Sequence, residues 1–354
     1  MNPVAHPSKR MLELSQAHLH LQKGVQENFW PGFTLAVFSH GKFAAYSGGN
    51  VPTSATSVSW YSAGKPVTAL GVLHLTEQKP DLWPLPMEKT FPELLGTYLG
   101  NLTLLDILTH RTGLRLSTLD VLAPEQEILH ILAQAQPADF SLQPRQAAYD
   151  PRGGWWLLGR WIERHTGHAW PDYLHRHILS PCGAGDMFFT TDTMKADVPM
   201  LEKKGSTWIP APLGHGPGGG FCGTAISLAR FYRTLLSQGT NPETGTTVFS
   251  PAFIKNFSHR WREGEKDMTF SQITDFGLGV MLDSYGYGTA TPPYGYGSTS
   301  SRNTFGHGGA CSSIAFADPA KDLAVALCLT GQVPENKHQP RMLALLDLLR
   351  SDLA

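Results

Sequence analysis

The chain has 354 residues, of which 16% are charged, 36 are glycine and 26 are proline. This composition excludes a disordered chain and is typical of a compact, loop-rich globular protein. Because the formal net charge is −1, charge gives no reason to expect nucleic acid or an anionic membrane surface as a partner.

The chain opens with a helix pattern and continues with a hairpin pattern. Apolar residues recur at helical spacing over residues 11–25, which predicts an amphipathic helix that Pro31-Gly32 ends. Residues 33–38 and 43–47 are typical of two strands joined by a turn. We therefore expect antiparallel pairing near the N-terminus.

The next feature is Ser62-Ala63-Gly64-Lys65, followed by an apolar run. If a helix opens here and runs to about Glu77, the serine and the lysine share one face, with Cβ atoms about 5–6 Å apart. A serine hydroxyl beside a lysine is a nucleophile with its own base, provided that burial or a neighbouring cation lowers the pKa of the lysine. The pattern alone does not distinguish a catalytic pair from a structural one, since an exposed helix start capped by Ser62 explains it equally well.

The middle of the chain carries mostly helical signals. Residues 79–92 are rich in proline and predict an irregular loop. Helices are predicted at residues 103–108, 155–165 and 170–178, and after the N-cap residue Thr224. We expect residues 79–240 to form an inserted, all-helical lobe.

The last hundred residues return to strand patterns. Strands are predicted at residues 277–282, 303–307, 313–317 and 323–329, and a closing helix at residues 341–353. Strands near both chain ends predict one antiparallel sheet flanked by the N- and C-terminal helices. The predicted fold class is α/β (α+β), with residues 1–78 and 241–354 in one domain and residues 79–240 in the other.

Residues 285–301 form a Gly/Tyr/Ser-rich excursion with few aliphatic side chains. It has two interpretations, a loose hairpin extension or an aromatic rim over a binding cleft, and the second would place Tyr294 against a substrate.

The four cysteines lack metal-binding spacing and favour free thiols. No metal or cofactor is therefore expected. The N-terminus lacks the pattern of a secretory signal, and no window approaches 18 consecutive apolar residues. These patterns predict a cytoplasmic protein without a membrane span, although a signal that was removed would leave the same sequence.

Two further motifs, one around Tyr149 and one around His307, support the interpretation of Ser62 and Lys65 as a catalytic pair. Tyr149 lies in Ala147-Ala148-Tyr149-Asp150-Pro151, before a predicted helix, and Phe305-Gly306-His307-Gly308-Gly309-Ala310 forms a glycine-rich strand. With these motifs the chain resembles the serine β-lactamase and penicillin-binding-protein superfamily, in its branch of class C β-lactamase-like esterases, D-aminopeptidases and acyltransferases. The resemblance covers nearly the whole chain, including residues 102–114, 156–160 and 218–221.

The resemblance implies a β-lactamase/transpeptidase-like fold and a set of roles. Ser62 would form an acyl-enzyme, Lys65 would take or relay its proton, and Tyr149 would serve as general acid and base. The oxyanion hole would be the backbone N–H groups of Ser62 and Ala310. Because Lys65 and Tyr149 titrate together, the question of which of the two is the main base stays open at this point.

Two positions depart from the pattern of the penicillin-recognising members. His307 stands where they carry lysine, and Pro151 stands where Tyr-x-Asn would place asparagine. A histidine offers a hydrogen bond rather than a fixed charge, so β-lactams are not the expected substrate. Arg152 or Arg302 could supply the missing charge, and Pro151 could instead only order its loop.

The expected substrate contacts are Trp60, Trp155, Gly308, Gly309 and Tyr294. Trp156 fits core packing better than a pocket, and Cys311 fits a small buried residue better than a nucleophile.

The leading hypothesis is a serine hydrolase or acyltransferase that acts on a neutral ester, thioester or amide. Its expected partners are a small-molecule or short peptidyl acyl substrate and, for a transferase, a second substrate that accepts the acyl group. A D-amino-acid peptidase, amidase or peptide cyclase is the alternative. A true β-lactamase, or a binding protein that has lost activity, is less favoured, because Ser62, Lys65 and Tyr149 are all present.

Overall fold

The structure, a computed structural model, describes residues 11–290 and 295–354. Its helices in these ranges are α1 (Ser15–Gln26), α2 (Lys65–Gln78), α3 (Leu104–Leu108), α4 (Glu125–Gln134), α5 (Gly153–Thr166), α6 (Trp170–Leu174), α7 (Ala225–Leu236), α8 (Pro251–Phe257) and α9 (Glu335–Asp352). The strands are β1 (Gly32–Ser39), β2 (Lys42–Gly49), β3 (Val58–Tyr61), β4 (Phe188–Phe189), β5 (Leu201–Lys204), β6 (Thr207–Pro210), β7 (Phe221–Gly223), β8 (Lys266–Asp267), β9 (Gln272–Ile273), β10 (Met281–Leu282), β11 (Phe305–Gly309), β12 (Ser313–Asp318), β13 (Leu323–Leu329) and β14 (Gly331–Gln332).

The central sheet is antiparallel and is built from both ends of the chain. Its strand order is β10-β11-β12-β13-β1-β2, so β1 lies between its hairpin partner β2 and the late strand β13. Phe33 pairs with Leu329 in that register. The sheet and the antiparallel pairing expected from the sequence are confirmed.

The two faces of the sheet are covered by different helices. Because side chains alternate along a strand, Leu35 of β1 packs into a cluster with α1 and α9. The adjacent Ala36 packs into a second cluster that includes α2 and α7. Every residue of β1 and β13 is buried for this reason.

The helices predicted in the middle of the chain are present; α7 has the N-cap residue that was expected, and α3 has a cap that was not predicted. The backbone N–H of Thr103 donates to Asp106 Oδ2 at 2.8 Å, and Thr224 Oγ1 accepts from the Ser227 N–H at 3.2 Å. The segment is not all helical, however, because β4 to β7 lie within it. These strands have two to four residues, too few for a period of two to show in the sequence.

Other elements also differ from the sequence expectation. Helices α4 and α8 and the short strands β3, β8, β9 and β14 were not predicted, and the strand expected at residues 277–282 is limited to β10 (Met281–Leu282). The division into domains at residues 78 and 240 stays a prediction. Within the part of the chain that the structure describes, none of the helices has the length and apolar character needed to cross a membrane.

Candidate active site

Ser62 lies at a sharp junction between β3 and α2. Tyr61, just before it, has a φ of +50°, a value that residues with a side chain rarely adopt. A single 3-10 turn over Ser62–Gly64 leads into α2. A side chain at residue 64 would collide with Phe221, whose Cβ would be 2.3 Å from the added Cβ. The N-cap positions of the turn and of α2 are Tyr61 and Gly64, so Ser62 does not hold the position that the helix-cap interpretation requires.

Lys65 is fully buried and its ammonium group faces Ser62. Lys65 Nζ lies 3.1 Å from Ser62 Oγ, 3.0 Å from the Pro151 carbonyl oxygen and 2.5 Å from the Gly218 carbonyl oxygen. Among the described residues, no carboxylate lies within 4 Å of it. Burial lowers the pKa of Lys65 to about 7, and Arg152 adds to this effect while Asp150 opposes it.

Tyr149 completes a cluster with Ser62, Lys65 and His307. Lys65 Nζ lies 5.3 Å from the centre of the tyrosine ring, and the rings of Tyr149 and His307 are 5.9 Å apart. Burial raises the pKa of Tyr149, although an interaction with the Ser62 hydroxyl opposes the shift. The phenol is therefore neutral at pH 7.

The backbone of Tyr149 is held by a buried ion pair. Its N–H donates to Asp267 Oδ1 at 3.1 Å, and its carbonyl oxygen accepts from Thr269 Oγ1 at 2.9 Å. Arg262 Nη2 donates to the other oxygen of Asp267 at 2.9 Å, and both side chains are fully buried. The same guanidinium donates to the carbonyl of His110 at 3.3 Å. Sequence reasoning missed this pair, because Asp267 lies 118 residues from Tyr149.

His110 is a second missed neighbour of Tyr149. The two rings are 4.6 Å apart, and His110 Nδ1 accepts from the Asp150 N–H at 3.1 Å. That bond places the ring proton on Nε2, which has no partner among the described residues. The residue lies in the segment 102–114 that carried the resemblance, and its φ of +54° is invisible in the sequence.

His307 is a neutral side chain on β11. Its Nδ1 lies 2.6 Å from the Gly308 carbonyl oxygen, so Nδ1 carries the proton and Nε2 keeps a lone pair. Burial, with the nearby Lys65 charge, lowers the pKa of His307 to about 3. The sequence expectation of a hydrogen-bonding group without a fixed charge agrees with this environment.

The chain is strained on both sides of the predicted oxyanion hole. Ala310 and Cys311 have φ values of +34° and +53°, and consecutive values of this kind are costly for residues other than glycine. Gly309 allows close approach, because a side chain there would lie 2.0 Å from the Trp60 carbonyl oxygen. Ser62 and Ala310 line the same cavity.

That cavity has a volume of about 320 Å³, at the small end of ligand pockets. Most of its wall is apolar or aromatic, and polar groups lie at Asp120, Arg152, His215 and Gln332. The apolar wall is formed by Tyr61, Val121, Leu122, Trp156, Pro212, Leu213 and Pro217.

Some of the expected substrate contacts are wrong or lie elsewhere. Trp60 is fully buried and its indole N–H donates to the Gly223 carbonyl oxygen, so it is a core residue. Trp155 is 1% exposed and lies beneath Lys65, 5.1 Å from Nζ, whereas Trp156 lines the cavity. Gly308 and Gly309 shape β11 but are not in the cavity wall. Tyr294 lies outside the described residues.

The two arginines considered for a missing charge differ in position. Arg152 lines the cavity beside Ser62 and donates to the Leu119 carbonyl oxygen at 2.8 Å. Arg302 pairs with Glu263 and lines a separate cavity. Only Arg152 is in position to meet a ligand at Ser62.

The chain is similar in sequence to known proteins. A family model described as Beta-lactamase matches residues 20–349. Penicillin-binding protein 4 of Amycolatopsis lactamdurans is 33% identical over 108 residues, which are 28% of this chain and 28% of that protein. The chain therefore matches only about a quarter of the length of this relative.

Solved structures share the fold over nearly the whole chain. A penicillin-binding-protein homologue from Caulobacter crescentus has a TM-score of 0.75 at 20% identity, covering 98% of this chain and 99% of that one. EstCE1, described as a hydrolase with promiscuous acyltransferase activity, has a TM-score of 0.74 at 17% identity, covering 95% and 98%. A D-amino acid amidase from Ochrobactrum anthropi has a TM-score of 0.68 at 18% identity, covering 96% and 98%.

Proposed function

The chain belongs to the beta-lactamase family, and on that premise we propose that it is a serine hydrolase or acyltransferase acting on a neutral ester, thioester or amide. One observation carries this proposal. Lys65 Nζ contacts two carbonyl oxygens and the Ser62 hydroxyl. A neutral amine has two N–H bonds, which the carbonyls of Pro151 and Gly218 accept, and its lone pair is then left for the serine proton.

Acylation begins when Ser62 Oγ attacks the substrate carbonyl carbon and its proton passes to Lys65 Nζ. The backbone N–H groups of Ser62 and Ala310 stabilise the oxyanion. The neutral phenol of Tyr149 gives its proton to the leaving group and regains one from Lys65. The leaving group departs protonated, Lys65 is neutral again, and the acyl group is bound to Ser62.

Deacylation repeats these steps with a new nucleophile. Water or a second substrate attacks the acyl carbonyl carbon, its proton passes to Lys65, and Ser62 Oγ leaves and is reprotonated. Water as the acceptor makes the enzyme a hydrolase, and an alcohol or amine makes it an acyltransferase.

The cavity supports a small neutral acyl group. Its wall is mostly apolar, and His307 and Pro151 lack the charged and amide groups that favour β-lactams. A D-amino-acid amidase or peptidase is the second candidate, since Asp120 in the cavity wall is a carboxylate suited to a substrate ammonium group. The four cysteines are free, which supports a reducing, cytoplasmic location.

The test is a substrate panel with wild type and Ser62→Ala. We expect hydrolysis of short p-nitrophenyl esters, slow turnover of nitrocefin and no activity in Ser62→Ala. Mass spectrometry of the quenched reaction should find the acyl mass on Ser62. Full activity in Ser62→Ala would refute the mechanism. Faster cleavage of nitrocefin or of D-alanine p-nitroanilide than of any ester would refute the assignment to neutral esters.

A further inference from the structure

A second cavity lies away from Ser62, where three parts of the chain meet. His20 of α1 and the two aromatic residues after the helix form one wall, the hairpin of β5 and β6 a second, and the start of α9 a third. Its volume is about 670 Å³, within the range of small-molecule pockets. It shares no lining residue with the cavity at Ser62.

The lining combines aromatic rings with positive charge. Phe29 and Trp30 supply the rings, and Lys203, Lys337 and Arg341 supply cations. No carboxylate is among the described residues that line it. Because the chain as a whole has a formal net charge of −1, this concentration of cations is local. Its complement is a flat apolar molecule that carries an anion.

Arg341 lines this cavity, and one nitrogen of its guanidinium has no hydrogen-bond partner among the described residues. Its Nη2 donates to the carbonyl oxygens of Cys311 and Gly331, at 2.8 and 2.7 Å. Its Nη1 is buried and has no partner among the described residues. Within the same residues no carboxylate lies within 4 Å of the guanidinium. A buried donor without a partner costs free energy, and a ligand carboxylate toward which the guanidinium turned would remove that cost.

The same arginine connects the cavity to the predicted oxyanion hole. Cys311 follows Ala310, and both have positive φ. Two side chains of α9 hold this strained turn, since Arg341 binds the Cys311 carbonyl and Glu335 accepts from the Cys311 thiol at 2.7 Å. A shift of the guanidinium toward a ligand therefore changes the support of the Ala310 N–H.

We propose that this cavity binds an aromatic carboxylate, which pairs with Lys337 and Arg341, and that its occupation changes turnover at Ser62. The regulatory half rests on the proposed function, and the binding half does not. Binding is therefore measured on Ser62→Ala, where acylation of the serine cannot contribute.

The experiment titrates 2-naphthoate into Ser62→Ala by calorimetry, with 2-naphthamide as the uncharged probe. We expect saturable binding of the carboxylate and at least tenfold weaker binding of the amide. Lys337→Glu should weaken naphthoate binding at least tenfold. Lys89→Glu, which changes the same charge at an exposed site far along the chain, should leave it unchanged.

Turnover of p-nitrophenyl acetate is then followed in the enzyme with Ser62 intact. We expect kcat to change with naphthoate concentration, at a midpoint equal to the dissociation constant, and not in Lys337→Glu. Absent binding, equal binding of the amide, or unchanged binding in Lys337→Glu would overturn the site. Binding with constant kcat would overturn the regulation. An enzyme without ester activity would refute the proposed function and leave the calorimetric result standing.

Discussion

Lys65 and His307 are two basic residues a short distance apart that titrate over different ranges. Both are buried, and burial lowers the pKa of each, to about 7 for Lys65 and about 3 for His307. Because an amine begins from a much higher ordinary pKa than an imidazole, the same cause brings the pKa of the lysine close to 7 and leaves the histidine neutral at pH 7.

The acid limb of the pH profile should belong to Lys65. The active form is the neutral amine, so kcat/KM for p-nitrophenyl acetate should rise with pH, with a midpoint near 7. Below the midpoint the lysine holds a proton and cannot take the one from Ser62. Rates measured from pH 5 to 9 test this. A midpoint near the ordinary pKa of lysine, or a flat profile, would contradict the assignment.

Arg152 should contribute to the pH at which kcat/KM reaches this midpoint. Its positive charge lowers the pKa of Lys65, so Arg152→Gln should move the acid limb to higher pH. Because Arg152 is exposed, salt screens the interaction, and the difference from wild type should shrink as sodium chloride is added. Arg176→Gln removes an exposed charge from the helical turn that follows α6 and is the control. An unchanged midpoint in Arg152→Gln at low salt would show that burial alone tunes Lys65.

At the scale of elements, the loop of Tyr149 is held between two segments that are distant in sequence. Residue 148 donates to the carbonyl of His110 at 3.0 Å on one side, and Asp267 accepts from Tyr149 on the other. Arg262 bonds to both sides. A tyrosine held by two distant segments is positioned more narrowly than one held by its own loop alone.

Asp267→Ala should therefore reduce kcat more than it changes KM. Losing the acceptor frees the Tyr149 backbone and leaves Arg262 buried without its partner, and a displaced catalytic group can cost about 10²-fold in rate. Asp267→Asn keeps an acceptor oxygen and should recover part of kcat. Steady-state kinetics of both variants, at a temperature where circular dichroism shows them folded, make the measurement.

Asp275→Ala is the matched control, because Asp275 forms a buried ion pair with Arg260 and has no bond to Tyr149. Equal losses of kcat in Asp267→Ala and Asp275→Ala would indicate a general loss of stability instead of a positioning role.

The sequence predicted the elements with strong periods and the residues carried by short motifs. The strand pattern at residues 323–329 coincides with β13, and Ser62 and Lys65 are placed by spacing on one turn. The expectations that were wrong concern whether a side chain faces the core or the cavity. Trp60 belongs to β3, all four residues of which are buried, and so short a strand has no period in the sequence that shows its burial.

Other parts of the site could not be predicted, because they depend on contacts between distant segments. No local sequence pattern predicts that Arg262 pairs with Asp267, or that Asp267 accepts a hydrogen bond from Tyr149. The tautomers of His110 and His307 follow from single backbone partners. The Nη1 group of Arg341 lacks a hydrogen-bond partner among the described residues because of the way α9 packs against the turn at residues 310–311.

For the whole molecule, the six-stranded sheet separates two apolar clusters with different tasks. The cluster that includes α2 and α5 supports Ser62, Lys65 and the cavity wall. The cluster of α1 and α9 lies on the opposite face and closes the sheet where the two chain ends meet. Stability and catalysis should therefore respond separately to substitutions in the second cluster.

Leu346→Ala tests this separation. Leu346 is fully buried in the cluster of α1 and α9, so its truncation should lower the free energy of unfolding by about 2–5 kcal/mol. The kcat and KM for p-nitrophenyl acetate should stay close to wild type at temperatures where the variant is folded. Leu19→Ala, at a residue of α1 that is 67% exposed, should change stability by less than about 0.5 kcal/mol. Urea unfolding followed by tryptophan fluorescence gives the free energies, and steady-state assays of the same samples give the rates. A fall in kcat of Leu346→Ala while it remains folded would show that this face of the sheet is coupled to Ser62.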